Sequence, residues 1–463
     1  MMCVIRLLMI AVGLMGAAQA AKVDEIYRQY CASCHGEDLR GGQGKSLVDG
    51  LWRGDGSSDN IAEIIRDGQL ELGMPPFGAV LSEDDIRALV IYIREKEKAA
   101  LAAPKPEPDA VTGAFDVAGE RFRIEEVAEG FEIPWSVDFL PEGRYLVTER
   151  PGGLRVVEAD GTVHPRVKGT PEVLAKGQGG MLDVALHPDY ANTGWIYLSY
   201  SEPAQTDSDI GLTKIVRGRL EGNRWVDEET IFEAPQEFYS GAGVHFGTRI
   251  VFDSDGHLFF AIGDRGRQEQ AQDTTRPNGK VHRINLDGSI PTDNPFAKDG
   301  FPTIWSYGNR NPQGLAIHPE TGALWETEHG PRGGDEVNVI EGGKNYGWPV
   351  ITYGMNYNGT PITGKTHAPG MEQPKHYWTP SIAVCGLDFY RGDKFPTWKN
   401  RLLVGSLRAQ ELHLLTLDGD EVVADEVILD DHGRVRDVAS GPDGAIYVLL
   451  NGPDKLVRLV SEN

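Results

Sequence analysis

The segment Val184-Ala-Leu-His-Pro188-Asp-Tyr190 is one of six related units in the C-terminal three quarters of the chain. Each unit has an apolar strand, a turn rich in Pro, Asp and Gly, and a second apolar or aromatic strand. The units begin at Ser136, Val184, Ile250, Leu315, Leu387 and Val438, with a mean period of about 60 residues. A unit that cannot bury both faces alone must stack on its neighbours, so the repeat predicts a six-bladed β-propeller with four strands per blade.

The length of this region argues against the alternative, a two-sheet sandwich. Six similar units spread over nearly 350 residues are too many and too regular for that fold. We expect strands near Phe122 and Leu456 to pair and close the ring.

The composition argues against several classes of binding partner and against a disulfide-stabilised fold. The 463 residues include 45 Lys+Arg and 69 Asp+Glu, a formal net charge of −24, which disfavours nucleic acid and anionic membranes as partners. Four cysteines are too few for a disulfide scaffold.

The first 20 residues predict a secretory signal peptide. One basic residue precedes about a dozen apolar residues and the small-x-small ending Ala18-Gln19-Ala20. The apolar run is shorter than the roughly 20 residues of a membrane-spanning helix, and no other segment is long and apolar enough to span. We therefore expect export to the periplasm.

A haem-attachment motif follows. Cys31-Ala-Ser-Cys34-His35 has the C-x-x-C-H pattern, in which two thiols bind the haem covalently and the imidazole ligates the iron. Met74, in a Gly/Pro loop, is the expected sixth ligand. The alternative, a redox C-x-x-C motif, is disfavoured by the adjacent His and by the lack of a thioredoxin-like βαβ pattern.

The helices around this motif complete a small domain. Ser82 to Asp85 has a capping-box pattern, so a helix should begin there and bury Ile86, Leu89, Val90 and Ile93. The whole resembles a class I cytochrome c, an all-α domain covering residues 21–98. Alternating prolines and charges predict an extended linker at 99–117, with the propeller at 118–463.

Polar side chains precede several of the repeat turns at similar distances: Gln178, His245, Arg310 with Asn311, and Arg434 with Arg436. Equal register in a propeller means equal height and radius, so we expect these groups to ring one mouth of the central channel. Converging arginines in an acidic protein require an anionic partner, and their planar forks suit carboxylates. Charge alone leaves open whether that partner is a cofactor or an acidic substrate.

Several motifs over residues 125–460 resemble the soluble quinoprotein glucose and aldose sugar dehydrogenases. They include Asp264-Arg-Gly-Arg267, Glu328-His-Gly330-Pro331, Lys344-Asn-Tyr346-Gly-Trp348 and Arg434-Val-Arg436-Asp437. That family is a six-bladed propeller that binds pyrroloquinoline quinone (PQQ) and Ca²⁺ and oxidises C1 of aldoses.

The resemblance implies a role for each matching residue. His245 would be the general base, Asp264 the carboxylate that orients it, and Arg310 the group that polarises the hydride-accepting quinone carbonyl. Asn311, Arg408, Arg434 and Arg436 would bind the carboxylates and quinone edge of PQQ, with Gln178 on the sugar side. The carbonyls of Gly330 and Pro331 would ligate the cofactor's calcium, and Glu336 with the Tyr346 carbonyl a second, structural calcium.

Three positions depart from the glucose-oxidising branch. Val244 stands where that branch has an Asp that contacts the sugar, Arg408 replaces a Lys, and His329 replaces a Gln. These departures favour the broader aldose branch and leave the sugar open. His187 and His318, in His-Pro turns, are expected to be structural, and Cys385 to be a buried thiol.

The two domains together predict a periplasmic quinohaemoprotein. It would oxidise aldoses to lactones by hydride transfer to PQQ and pass electrons to haem c, then to a soluble cytochrome or copper protein. A non-catalytic propeller that binds carbohydrate or protein and carries an electron-transfer haem domain is one alternative. A propeller lactonase is another, although it would need a cage of metal-binding carboxylates and has no use for haem.

Overall fold

A computed structural model describes residues 22–102 and 115–462. Within them, four N-terminal helices are followed by six β-sheets arranged in a ring, which confirms the predicted propeller and helical domain. The predicted signal peptide, residues 1–20, lies outside the described residues. So do residues 103–114 of the predicted linker, whose ends at 99–101 and 115–117 belong to a helix and a strand.

In its described residues, the small domain has four α-helices, of which the first and the last pack against each other. Its helices are α1 (Val23–Tyr30), α2 (Ala32–His35), α3 (Ser58–Asp67) and α4 (Glu83–Leu101). The capping box forms as predicted: the Asp85 N–H donates to Ser82 Oγ (3.2 Å) and the Ser82 N–H donates to Asp85 Oδ2 (3.1 Å). The predicted apolar stripe of α4 is buried in the core of this domain.

The six sheets are named blades 1 to 6 in chain order, and one short helix, α5 (Tyr190–Thr193), lies between two strands of blade 2. The strands are β1 (Phe115–Val117), β2 (Glu120–Glu129), β3 (Pro134–Phe139), β4 (Tyr145–Glu149), β5 (Leu154–Val157), β6 (Met181–Leu186), β7 (Ile196–Pro203), β8 (Gly211–Leu220), β9 (Trp225–Glu233), β10 (Ile250–Phe252), β11 (His257–Ile262), β12 (Lys280–Asn285), β13 (Ile304–Tyr307), β14 (Pro312–Ile317), β15 (Leu324–Glu328), β16 (Asp335–Ile340), β17 (His376–Trp378), β18 (Val384–Phe389), β19 (Leu402–Ser406), β20 (Glu411–Asp418), β21 (Glu421–Asp430), β22 (Arg434–Ser440), β23 (Ile446–Asn451) and β24 (Lys455–Ser461).

Four blades have the predicted four strands: β6–β9, β10–β13, β14–β17 and β18–β21. Blade 1 has three strands, β3–β5, and blade 6 has five because β1 and β2 add to β22–β24. The predicted closure is confirmed, since β2 pairs with β24 and Ile124 lies opposite Leu459. Pairing the first and last parts of the propeller removes the exposed edge that an open ring would leave.

The repeat units lie on the innermost strands, β3, β6, β10, β14, β18 and β22. Carboxylates on these strands join neighbouring blades: the half-buried Asp138 accepts the Leu186 N–H (2.6 Å) and the buried Asp437 accepts the Val137 N–H (3.0 Å). Burial raises the pKa of each of these two carboxyls to about 6. The recurrent Asp therefore holds the blades in register around the channel.

No helix in the described part of the chain combines the length and apolar character needed to cross a bilayer.

Candidate active site

One mouth of the channel opens into a cavity of about 550 Å³. Four of the side chains that the register placed together, Gln178, Asn311, Arg434 and Arg436, line it. Side chains that the sequence reasoning did not single out also line it: Trp135, Arg150 and Gln313. The expected convergence is therefore present in the structure, from three different blades: Gln178 lies just before β6, Asn311 directly precedes β14, and both arginines lie on β22.

His245 lies at the edge of this cavity in a tight loop before β10. Its N–H donates to Gln178 Oε1 (2.7 Å), and its Nδ1 lies 2.6 Å from Asp264 Oδ1. A Cβ added at Gly263 would lie 2.5 Å from the His245 carbonyl oxygen and 3.0 Å from that of Arg310. Only glycine permits this close approach, which brings the three predicted catalytic residues together.

Asp264 is fixed on all sides. Its Oδ1 also accepts the Gly266 N–H (2.7 Å), its Oδ2 accepts the Trp348 indole N–H (2.8 Å), and its own N–H donates to the Arg310 carbonyl (2.8 Å). Burial alone would raise the pKa of Asp264, but the hydrogen bond with His245 and the charge of Arg310 lower it overall. Asp264 is therefore ionised and accepts a hydrogen bond from the Nδ1–H of His245.

The imidazole of His245 is neutral at neutral pH. Burial is the largest cause that lowers its pKa, and the charges of Arg310 and Arg265 lower it further, against the opposing effect of Asp264. With the proton on Nδ1, Nε2 is free to accept a proton from a substrate.

Arg310 connects the base to the predicted calcium loop. Its Nη1 donates to the carbonyls of His329 (2.9 Å) and Gly330 (2.6 Å), and its guanidinium lies 5.4 Å from the centre of the Trp348 ring. The next carbonyl, that of Pro331, accepts the Ser381 hydroxyl (2.9 Å). Each carbonyl keeps a second lone pair, and two adjacent backbone oxygens suit a hard cation such as Ca²⁺.

The arginines of the cavity lack anionic partners. Across residues 22–102 and 115–462, no carboxylate pairs with Arg150, Arg434 or Arg436. Burial, and then repulsion by Arg436, lowers the pKa of both Arg150 and Arg434. Unpaired cations that face one cavity fit a ligand with several carboxylates, such as PQQ.

Two residues predicted to contact the cofactor, Asn311 and Arg408, lie in different surroundings. Asn311 is buried and accepts a hydrogen bond from Gln313 at its Oδ1 (3.2 Å). Arg408 is exposed on the turn after β19, where its N–H donates to the Ile382 carbonyl (3.0 Å), and its neighbour Leu407 lines the cavity instead.

The predicted structural calcium residues lie in blade 4, beside a cluster of carboxylates. Glu336 on β16 lies opposite Glu328 on β15, and Glu326 lies close to both. Burial raises the pKa of all three carboxyls, that of Glu328 to about 7, and repulsion by Glu328 raises the pKa of Glu326 and of Glu336 further. Glu328 Oε2 is buried without a hydrogen-bond partner among the described residues. The backbone N–H of Tyr346 donates to the Tyr307 carbonyl (2.8 Å), and burial, with a further contribution from the negative charge of Glu326, raises the pKa of the Tyr346 phenol. A cation near Glu336 would relieve this repulsion.

The predicted haem-binding residues of the small domain lie in positions consistent with that prediction. Cys31 and Cys34 are free thiols one helical turn apart. His35 Nδ1 lies 2.8 Å from the Lys45 carbonyl, which leaves Nε2 for iron. Met74 is half-buried against the core of the domain, in a loop closed by its two backbone hydrogen bonds to Gln69.

Of the three residues with a structural expectation, His187 and His318 lie in turns outside the cavity, whereas Cys385 lies beside it, with its Sγ 3.5 Å from Arg436 Nη1. His187 and His318 accept backbone N–H groups of their own turns at Nδ1, and Cys385 is fully buried.

Sequence reasoning missed two groups near the base. Trp348 was quoted only as part of a motif, yet it holds the second oxygen of Asp264. Arg265 is fully buried, with its guanidinium 3.4 Å from the centre of the Phe246 ring, and burial lowers its pKa to about 9. The sequence shows that Arg265 is next to Asp264, but it does not show that the Arg265 side chain is buried, because that burial depends on the tertiary fold.

Comparison with known proteins places the chain among sugar dehydrogenases, with a separate match to a cytochrome family at its N-terminal side. The sequence matches the family described as Glucose / Sorbosone dehydrogenase over residues 131–458, and Cytochrome C oxidase, cbb3-type, subunit III over 18–93. It is 43% identical to Aldose sugar dehydrogenase YliI of Escherichia coli (strain K12), over 74% of this chain and 93% of that protein. The PQQ-bound form of Aldose Sugar Dehydrogenase from Streptomyces coelicolor is 27% identical, with a TM-score of 0.60 over 73% of this chain and 98% of that one. Cytochrome c55X of Paracoccus denitrificans is 34% identical over 18% of this chain and 82% of that protein.

Proposed function

Since the chain belongs to the glucose/sorbosone dehydrogenase family of PQQ-dependent sugar oxidoreductases and carries a cytochrome c domain, we propose that it oxidises aldoses at C1 to lactones. We propose further that it delivers the electrons to its own haem c. The observation that carries this proposal is a cavity lined by three arginines without carboxylate partners, with the His245–Asp264 pair at its edge, where the His245 N–H donates to the lining residue Gln178. The signal-like residues 1–20 support a periplasmic location, with a soluble cytochrome or copper protein as the external acceptor.

When bound, PQQ supplies a quinone carbonyl that accepts the C1 hydride, Ca²⁺ polarises it, and haem c carries single electrons. Arg150, Arg434 and Arg436 would hold the cofactor's carboxylates. Gly330 and Pro331 would hold its calcium, and Cys31, Cys34, His35 and Met74 the haem. Glu336, with the Tyr346 carbonyl, would hold a structural calcium.

The chain's own residues move the proton. Nε2 of neutral His245 accepts the proton of the C1 hydroxyl, which directs the electron pair of the C1–H bond toward the acceptor. Asp264 stabilises the imidazolium that forms, and Trp348 prevents Asp264 from turning away. Arg310, adjacent to both, stabilises the negative charge that develops on the acceptor carbonyl. Gln178, which anchors the His245 backbone, faces the sugar side.

Calorimetric titration of the full-length protein with PQQ in the presence of Ca²⁺ tests the proposal. We expect one PQQ per chain and PQQ-dependent oxidation of glucose to its lactone, measured with a dye acceptor. His245→Ala should bind PQQ and fail to oxidise the sugar. Failure of the wild-type protein to bind PQQ would refute the assignment of the cavity.

A further inference from the structure

The cytochrome domain lies against blade 4 of the propeller, and one face of α4 makes the contact. Five α4 residues at helical spacing face the propeller: Asp84, Arg87, Ile91, Glu95 and Lys98. Residues three and four apart share one side of a helix, so these five form a continuous stripe along α4.

The centre of this stripe fits tightly. A Cβ added at Gly333 would lie 3.3 Å from Ile91 Cγ1. Glu95 accepts hydrogen bonds from Arg332, with Nε 2.9 Å from Oε1, and both side chains are largely buried. Such a charge-assisted pair fixes geometry because Nε and Nη2 both engage the carboxylate. At the end of the stripe, Lys98 Nζ lies 3.2 Å from Glu411 Oε1.

A propeller side chain completes the core of the cytochrome domain. Met355 is 1% exposed and packs in the same cluster as Tyr27, Ile86 and Ile91. Its backbone exchanges two hydrogen bonds with Arg332, at 2.9 and 3.0 Å. The segment that carries Met355 is therefore tied directly to the residue that holds Glu95.

The same loop serves the active site. The carbonyl of Gly330 accepts a hydrogen bond from Arg310. Pro331, the other predicted calcium ligand, comes directly before Arg332. We propose that Arg332, Glu95 and Met355 form the contact across which electrons leave the sugar-oxidising site for the cytochrome domain, with Arg332 as a positioning residue. This inference rests on the proposed function of that site.

The electron balance requires a one-electron carrier that takes the two electrons of each aldose in turn. Oxidation of one aldose to its lactone releases two electrons and two protons. The haem iron takes one electron at a time, Fe(III) to Fe(II), and passes each to a soluble one-electron acceptor, while the protons go to solvent. Electron transfer slows steeply with distance, so a docked domain outperforms one that is only tethered.

Charge reversal of the ion pair in the full-length holoprotein tests the inference. Glu95→Arg places two cations together and should undock the domain, raising amide hydrogen exchange at Val23, whose N–H donates to the Gly359 carbonyl (3.1 Å). Sugar-driven haem reduction, followed by stopped flow, should slow at least tenfold. Dye reduction by the propeller should be unchanged, and the double variant E95R/R332E should restore docking and haem reduction. Lys455→Glu, which disrupts an exposed ion pair on β24, is the matched control.

Each outcome decides the inference. Unchanged exchange in E95R would show that the pair does not position the domain. Raised exchange with unchanged haem reduction would show that electrons do not use this contact. Loss of dye reduction in the wild-type protein would instead refute the proposed function.

Discussion

Replacing Asp264 with Asn should disable the base while keeping the shape of the site. Asp264 accepts three hydrogen bonds, from His245 Nδ1, the Gly266 N–H and the Trp348 indole. An amide has only one acceptor oxygen, so one orientation sets its NH₂ against the indole N–H. The other sets it against His245 Nδ1, which moves the imidazole proton to Nε2, where it blocks proton uptake.

The expected loss follows from that tautomer. A positioned general base contributes about 10²- to 10⁴-fold, so kcat/KM for glucose should fall by about that factor, roughly 3–5 kcal/mol of barrier. Asp264 also opposes the lowering of the His245 pKa. Its removal should therefore move the acidic limb of the pH–rate profile to lower pH, because His245 would remain neutral further into acid.

The assay is dye-linked glucose oxidation by the PQQ- and Ca²⁺-loaded protein. Asp253→Asn is the matched control, because it changes a similar pair, with Asp253 Oδ2 2.8 Å from His257 Nδ1, outside the cavity. The control should keep full activity. A decrease of less than threefold in D264N, with PQQ still bound, would refute the reasoning.

Further predictions concern the cofactor, the carboxylate cluster and the haem. Arg434→Met should weaken PQQ binding about 10- to 150-fold by calorimetry, because a hydrogen bond to a charged group contributes roughly 1.5–3 kcal/mol; equal affinity would exclude Arg434 from the cofactor site. In EDTA, the melting temperature should fall as pH rises from about 4.5 through 7, because the raised pKa of Glu328 makes the folded state bind more protons than the unfolded chain there. Added Ca²⁺ should restore stability more at pH 8 than at pH 5, whereas a calcium effect independent of pH would argue against binding at these carboxylates. Met74→Ala should lower the haem reduction potential in a spectroelectrochemical titration, since methionine ligation raises it, and an unchanged potential would mean that Met74 is not a ligand.

Much of the fold was predictable because its signals are local and repeated. The six turn units lie on the six innermost strands, and the Ser82–Asp85 box begins α4 as expected. The pairing of β2 with β24 followed from the need to close a ring. The three-stranded blade 1 was not predicted, because strand number depends on long connections without a periodic pattern.

The candidate site was predictable where register and motif coincide, as at His245 and Arg310, and Asp264 was predictable from its motif alone. The indole of Trp348 and the buried Arg265 were missed because tertiary packing alone determines their partners. The docking of the cytochrome domain was also beyond sequence reasoning. Met355 lies in an ordinary loop sequence, and only the fold brings it into the core formed by α1 and α4.

Anaerobic mixing of the loaded protein with glucose, followed by haem absorbance, tests the central claim most directly. The haem should become reduced only when PQQ and Ca²⁺ are present, and it should stay oxidised in His245→Ala. A haem that stays oxidised in the loaded wild-type protein, or becomes reduced by glucose without PQQ, would contradict the account.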